Sequence, residues 1–318
     1  MTALSVIIPA KDVAPYIGDT LASLVRNDRP DFEYIVIDDG SADDTPNIVD
    51  DFRRRLPNLR MLRNPAPTGL SSVRNQGTAA ADGRYLVYLD GDDWFAPGYL
   101  PRALDAIRSL DVDFIRTDHV QVYGDRRVLH EAPEARILRA LEPRGGIMPS
   151  NARTMVDYPN AWSGVFDRRR LTDDLLRFDP ALLTCEDRPW TWRLHIHAAS
   201  YARVPEIGVF YRRAVGNSLT QVTDERQLHF LNAFRGTVEE LSLSPETSVF
   251  LPKAIRTLCA LICHHVDRKD RFSKELARDL LDRCSGMLRW LPQDLLDRTL
   301  VEMGGKRAKR LRALRAGE

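Results

Sequence analysis

The sequence predicts an α/β protein, a mostly parallel sheet flanked by helices, with a helical region appended at its C-terminal end. Short apolar, β-branched runs alternate with helix-period segments through the first third, the pattern of right-handed βαβ crossovers. From about residue 225 the texture changes to helical stripes alone. There is no internal repeat and no low-complexity segment. The expected division is a nucleotide-binding-type α/β unit over residues 1–222 and a helical region over 223–318.

Taken in order, residues 4–8 (LSVII) read as a buried strand closed by Pro9, and Ile17, Leu21 and Leu24 fall at helical spacing behind Pro15. EYIVID (33–38) is a second strand, after which Thr45 is the expected N-cap and Pro46 the first helical residue. LRMLR (59–63) is a third strand, and SSVRNQGTAAADG a helix stopped at Asp82-Gly83. YLVYL (85–89) is the fourth strand, and GYLPRALDAI begins the next helix. The middle, about 115–220, is richer in Pro, Trp and Arg and reads as a mixed region completing a cleft. Beyond it, Leu228, Leu231, Phe234, Val238 and Leu241 make one helical stripe. Leu276, Leu280, Cys284, Met287 and Leu288 make another, with a helix start at Ser244-Pro245-Glu246 between them.

Composition narrows the function classes. Among 318 residues, 46 Lys and Arg nearly cancel 45 Asp and Glu, leaving a formal charge of +1. A nucleic-acid partner would normally show as a basic excess, so none is expected. The opening MTALSVIIPA lacks a basic segment followed by a long apolar stretch, and no run approaches a membrane-spanning length. A cytoplasmic location is the expectation. Cys185, Cys259, Cys263 and Cys284 have neither disulfide-framework nor zinc-knuckle spacing. Cys259 and Cys263, one helical turn apart beside His264 and His265, read as buried thiols, with a metal site the alternative.

In open α/β sheets, ligands bind outside the carboxyl ends of the strands. Pro9-Ala10-Lys11, Asp38-Asp39-Gly40-Ser41 and Asp90-Gly91-Asp92-Asp93 follow the first, second and fourth strands, so they should meet along one edge. Three carboxylates within four positions repel one another unless a cation or solvent holds them. Hard carboxylate oxygens suit Mg²⁺ or Mn²⁺; a helix-capping turn is the alternative. Asp38 and Asp39 could accept from a base N–H or ribose hydroxyls, and Arg74, on the helix that TGLSSVRNQG opens, could counter phosphate charge. Glu186-Asp187 precedes a helix with Pro189 in its first turn, where Asp187 is either an N-cap or a general base. Glu186 should raise its pKa and the helix mouth lower it, leaving it ionised near neutral pH. His195 and His197 point to different faces and read as structural. Trp94, Trp162 and Trp190 are candidate platforms for sugar rings, Trp94 the foremost.

Together, LSVIIPAKD, EYIVIDDGSADDT, GLSSVRNQG, YLVYLDGDDW and CEDRPWTWRLH resemble the family 2 glycosyltransferases, inverting enzymes of the GT-A fold, over about residues 1–220. The resemblance implies that Asp39, with Asp38, binds the nucleotide base near Pro9. It further implies a DxD motif of Asp90 and Asp92, Asp90 toward the ribose and Asp92 on the metal, around Gly91, with Asp187 as catalytic base beside Glu186. Segment 209–220 looks like the stretch that closes over the diphosphate, making Arg212, Arg213 and Ser218 candidates. The segment after the first strand usually carries an aromatic residue and Asn; here it reads Ala10-Lys11-Asp12.

The implied reaction moves a sugar from a nucleotide-diphospho-sugar, most simply a UDP-sugar, to a glycan, polyol-phosphate or lipid-linked acceptor with Mn²⁺ or Mg²⁺. The rival readings are a sugar-1-phosphate nucleotidyltransferase, which would want a glycine-rich loop after the first strand, and a non-catalytic nucleotide-sugar-binding protein. In the tail, Lys306, Arg307, Lys309, Arg310, Arg312 and Arg315 surround Leu311 and Leu314. A basic amphipathic helix there could lie on the inner membrane face; a solvated end or a homo-oligomer contact through the C-terminal helices is the alternative.

Overall fold

The structure, a computed structural model, describes residues 2–213 and 222–317. Its strands are β1 (Leu4–Ala10), β2 (Phe32–Asp38), β3 (Leu59–Arg63), β4 (Tyr85–Tyr88), β5 (Trp94–Phe95), β6 (Phe114–Tyr123), β7 (Arg126–His130), β8 (Gly164–Asp167) and β9 (Tyr201–Arg212). Helices α1 (Ala14–Val25), α2 (Thr45–Phe52), α3 (Leu70–Ala80) and α4 (Tyr99–Leu110) serve the first half. α5 (Asp173–Leu176) and α6 (Asp187–His197) follow, and then α7 (His229–Ser242), α8 (Pro245–Ser248), α9 (Leu251–Val266), α10 (Lys274–Trp290), α11 (Gln293–Met303) and α12 (Gly305–Ala316).

One sheet runs β3-β2-β1-β4-β8-β6-β9-β5, with β7 beside β6. The strands read from the sequence, β1 to β4, are parallel to one another. Beyond β4 the sheet turns mixed: β8 is antiparallel to β4 and β6, and β5 to β9, while β6 and β9 run parallel. The mostly parallel expectation therefore describes the first half of the sheet, where every strand is linked by a crossover helix.

Local chemistry explains the junctions. α2 begins on Thr45 rather than being capped by it. Asp43, two residues earlier, accepts from both the Thr45 N–H (3.0 Å) and its hydroxyl (2.6 Å). In α1 the Thr20 hydroxyl, facing inward, reaches the backbone oxygens of Gly91 (2.9 Å) and Asp93 (2.7 Å), pinning the acidic turn to the helix.

α3 approaches the sheet so closely that only glycine fits at position 77. A Cβ there would stand 2.7 Å from Ile37 Cδ1 and nearer still to Ile7 Cγ2. Gly77→Val is expected to lower unfolding stability by about 1–3 kcal/mol through overpacking; an unchanged urea midpoint would show that the contact relaxes freely.

Two apolar clusters form. The first fills the sheet and its flanking helices; the second gathers α7 and α9 to α12 with Ile147, Val156, and Trp192 and Ile196 of α6. The predicted stripes face this second cluster, as do Cys259, Cys263 and Cys284. Among the described residues no group of three His, Cys, Asp or Glu is placed to hold a metal. His265 instead stacks on Phe230 at 4.2 Å, and His264 meets Arg268.

The tail helix departs from its expected role. Leu311 and Leu314 on α12 are buried in the second cluster, and Arg310 and Arg315 pair with Asp267 and Asp297. With its apolar face committed inward, α12 cannot insert that face into a bilayer. No helix among the described residues is long and apolar enough to cross a membrane.

Candidate active site

The carboxyl ends of β1, β2 and β4 bring the predicted segments together. β1 pairs with β2 to the Ala10–Asp38 register and with β4 to Ile7–Tyr88. The Gly91 N–H donates to Pro9 O (3.1 Å), and a Cβ on Gly91 would lie 2.9 Å from that oxygen, so glycine is what lets the acidic turn close on the first strand.

The three carboxylates of that turn meet three fates. Asp90 accepts from Arg74 Nη2 (2.9 Å). Asp93 is fully buried and accepts from the Arg212 N–H (2.7 Å); burial, then the charges of Asp92 and Asp90, push its carboxyl far above the usual range. Asp92 alone is uncommitted: among the described residues its one donor is its own backbone N–H. Burial and the neighbouring Asp90 raise its pKa to about 6. A crowded, part-buried carboxylate of this kind gains most from a cation.

Arg74 is the joint of the site. It is only 3% exposed, and while Nη2 holds Asp90, Nη1 holds Glu186 at 2.7 Å. Burial opposes its charge, but the fields of Asp90 and Glu186 outweigh burial and hold its pKa above the ordinary value. Its guanidinium also lies 5.2 Å over the Phe178 ring. The structure thus places Arg74 not as a free phosphate contact but as a strut between two acidic motifs 96 residues apart in Asp90 and Glu186. α3 reinforces the strut: Ser71 Oγ donates to Leu182 O (2.9 Å), and Asn75 exchanges two 2.8 Å hydrogen bonds with the Phe178 backbone. Ser71, Arg74 and Asn75 sit at i, i+3 and i+4, one face of the helix, and that polar spacing is the one sequence signal that could have shown their joint role.

Asp187 opens α6, with Glu186 at the cap position, and neither makes a side-chain capping bond. The N-cap reading of Asp187 therefore fails. Burial first, then Glu186, raise its carboxyl to about 7, while Arg188 and Arg74 pull the other way. Loss of solvent and the Glu186 charge outweigh the pull of Arg188 and Arg74, so Asp187 holds its proton to a higher pH than the helix-mouth expectation allows. Cys185, just before the pair, holds a left-handed φ of 64° that turns the chain into this position.

Asp38 and Asp39 have local partners. Asp39 takes five hydrogen bonds, from Asn64 Nδ2, the Thr68 N–H (to both oxygens), the Thr68 hydroxyl and the Gly69 N–H, at 2.8–3.0 Å. A carboxylate has about four lone-pair sites, so its capacity is filled by the 64–69 loop. These bonds outweigh burial and lower its pKa. Asp38, fully buried, accepts from the Ser41 N–H (3.2 Å) and lies 3.0 Å from Arg63 Nε. Asp39 thus shapes the loop before α3, while Asp38 ties the turn after β2 to the end of β3.

The remaining candidates separate clearly. Trp190 is core, 1% exposed, stacked on Phe178 at 4.9 Å, with Nε1 donating to Leu176 O; it presents no face to a sugar. Trp162 is 5% exposed between His119 and Tyr211. Trp94 is half-buried, stacked on Phe210 at 5.5 Å with Arg212 4.6 Å over its ring. Arg212 further donates from Nε to Asp92 O and from Nη2 to Asp19, so its guanidinium ties the acidic turn to α1. Arg213 donates to the Tyr211 hydroxyl (2.7 Å). Ser218 lies outside the described residues. His195 is buried against Phe114 and Tyr201, and His197 meets Glu240, as expected of structural histidines.

With this geometry in view, comparisons with known proteins are informative. Residues 5–163, half of the chain, match the family described as glycosyl transferase family 2. The uncharacterized glycosyltransferase EpsJ of Bacillus subtilis is 28% identical over 69% of this chain and 63% of its own. The poly(ribitol-phosphate) beta-N-acetylglucosaminyltransferase TarS of Staphylococcus aureus is 27% identical over 66% of this chain and 35% of its own. The chain thus spans less than two thirds of the length of these curated relatives. A crystal structure of S. aureus TarS 1–349 with UDP-GlcNAc superposes with a TM-score of 0.76 at 19% identity, covering 99% of this chain and 88% of that one. That likeness establishes the fold.

Proposed function

The chain belongs to glycosyl transferase family 2, and from that premise we propose that it transfers a sugar from a nucleotide-diphospho-sugar to an acceptor hydroxyl with inversion. The observation that carries this reading is the Arg74 strut, which locks the acidic turn and the Glu186-Asp187 pair into one constellation. A nucleotide-binding protein without chemistry has no need to hold a second acidic pair, with a carboxyl poised near 7, against its metal turn.

The fit for a divalent ion rests on Asp92. Its part-buried carboxylate oxygens suit Mg²⁺ or Mn²⁺, which take such a ligand together with waters and substrate phosphates. When bound, such an ion neutralises charge on the departing diphosphate. Asp90, fixed by Arg74, faces the nucleoside, which lies against the 64–69 loop that Asp39 sets. Asp187 takes the proton of the acceptor hydroxyl as its oxygen attacks the anomeric carbon, and the bond from that carbon to the diphosphate oxygen breaks on the far side. One displacement gives one inversion, and no enzyme nucleophile is required.

The donor is a UDP-sugar in this reading, as in the UDP-GlcNAc complex of TarS, and the acceptor a glycan, polyol-phosphate or lipid-linked hydroxyl. The division at 222/223 is supported by the second apolar cluster, although α6 belongs to both units. The reading is tested by calorimetry and turnover with a panel of nucleotide-sugars, with and without Mn²⁺. Asp92→Ala is expected to stay folded, its side chain being part-exposed, and to lose the metal-dependent part of donor binding. Undiminished metal-dependent affinity in that variant would remove Asp92 from the metal.

A further inference from the structure

A groove of about 350 Å³ is lined by Asp19 and Ala22 of α1, Arg26 at its C-cap, Trp94 of β5, Arg127 of the β6–β7 hairpin and Arg212 at the end of β9. Its volume suits a group the size of a small ligand. One end is anchored at the site itself, since Arg212 Nε donates to Asp92 O (2.9 Å). From Asp19 to Arg26 it follows α1 for seven residues, about 10 Å at the helical rise.

Its charge is unbalanced. Three guanidinium groups face one carboxylate, Asp19, which Arg212 already engages at 3.0 Å. Arg26 and Arg127 are exposed, and among the described residues neither makes an ion pair; Arg127 touches only the backbone oxygens of Gly124 and Arg126. Two uncommitted guanidinium groups beside an indole match a chain of rings carrying carboxylate or phosphate groups, which arginine grips in bidentate fashion.

We infer that this groove is an exosite for an anionic saccharide chain, the part of the acceptor that trails away from the reacting hydroxyl. Calling the occupant an acceptor rests on the transferase reading above; the anion site itself does not. The anionic group is a phosphate or a carboxylate, and the two are told apart by probe.

The test titrates the full chain at fixed ionic strength with tripolyphosphate, with tetragalacturonate and with neutral maltotetraose. It compares wild type, the Arg26→Glu/Arg127→Glu double variant and a charge-matched Lys306→Glu/Lys309→Glu variant on α12. At least one anion is expected to bind wild type and to lose about tenfold or more in affinity in the groove variant, with the α12 variant within about twofold. Response to tripolyphosphate alone marks a phosphate-bearing chain, and to tetragalacturonate alone a carboxylate-bearing one. Release of nucleoside diphosphate from donor without acceptor should be unchanged in the groove variant, because neither arginine touches the acidic turn. Absence of anion binding by wild type, equal losses in both variants, or maltotetraose binding as tightly as the anions would overturn the exosite. A wild-type protein that binds anions in the groove but turns over no nucleotide-sugar would instead overturn the transferase reading alone.

Discussion

Asp187→Asn lowers sugar transfer by about 10²–10⁴-fold, the usual contribution of a positioned base, while donor affinity stays near wild type. Asparagine keeps the volume of the side chain but cannot take a proton. No capping bond is lost, because Asp187 makes none, so the variant should also fold. The carboxyl titrates near 7 through burial and its neighbour Glu186. Its basic form is the ionised one, so wild-type transfer at subsaturating acceptor should rise with pH through that region. In Asp187→Asn that limb should vanish from the pH–rate profile. A folded variant with near wild-type transfer, or one with reduced transfer that keeps the same limb, would show that the proton goes elsewhere.

Arg74→Met is expected to cost about 3–5 kcal/mol of stability, as breaking a buried ion pair does, and to abolish transfer. Methionine fills much of the space but leaves Asp90 and Glu186 facing each other without a countercharge. One of them must take up a proton or the turn must move, and either outcome dismantles the pairing of donor and base. Should Arg74→Met fail to fold, Arg74→Lys decides the matter. Its single ammonium cannot span both carboxylates in the fork geometry of arginine, so it should fold with weakened donor binding and a shifted pH–rate limb. Wild-type stability, affinity and pH profile in Arg74→Lys would reduce the strut to a bystander.

Much of the fold was legible because strands covered on both faces are written as unbroken apolar runs. β1, β2 and β4 are of this kind, with the half-covered LRMLR of β3 set between helix-period segments, and their carboxyl ends located Asp90, Asp92 and the nearby loops. β5, β8 and β9 were not legible. β5 is two residues long and β8 four, too short for periodicity, and they pair antiparallel with partners remote in sequence. The site was legible in its acids but not in its wiring. Arg74 reads as a phosphate contact near a helix start, and only the docking of residues 178–186 onto α3 commits it to two carboxylates. Asp39 reads as a ligand because free and saturated carboxylates look the same in a sequence. Trp190 shares its motif with Asp187, one helical turn away on α6, yet its indole is packed into the aromatic core with Phe166 and Phe178.

α6 has one end in each of two environments: Asp187 stands at its mouth, while Trp192 and Ile196 further along are embedded among the helices that follow residue 228. A rigid rod seated this way transmits small displacements of its far end to the near one, and an error of about 1 Å in a reacting group can cost about 100-fold in rate. Residues that never approach the cleft, such as Leu231, Phe234 or Ile255, therefore hold leverage over the chemistry. Sequence drift among relatives at those positions would retune catalysis without altering a single contact to the substrates.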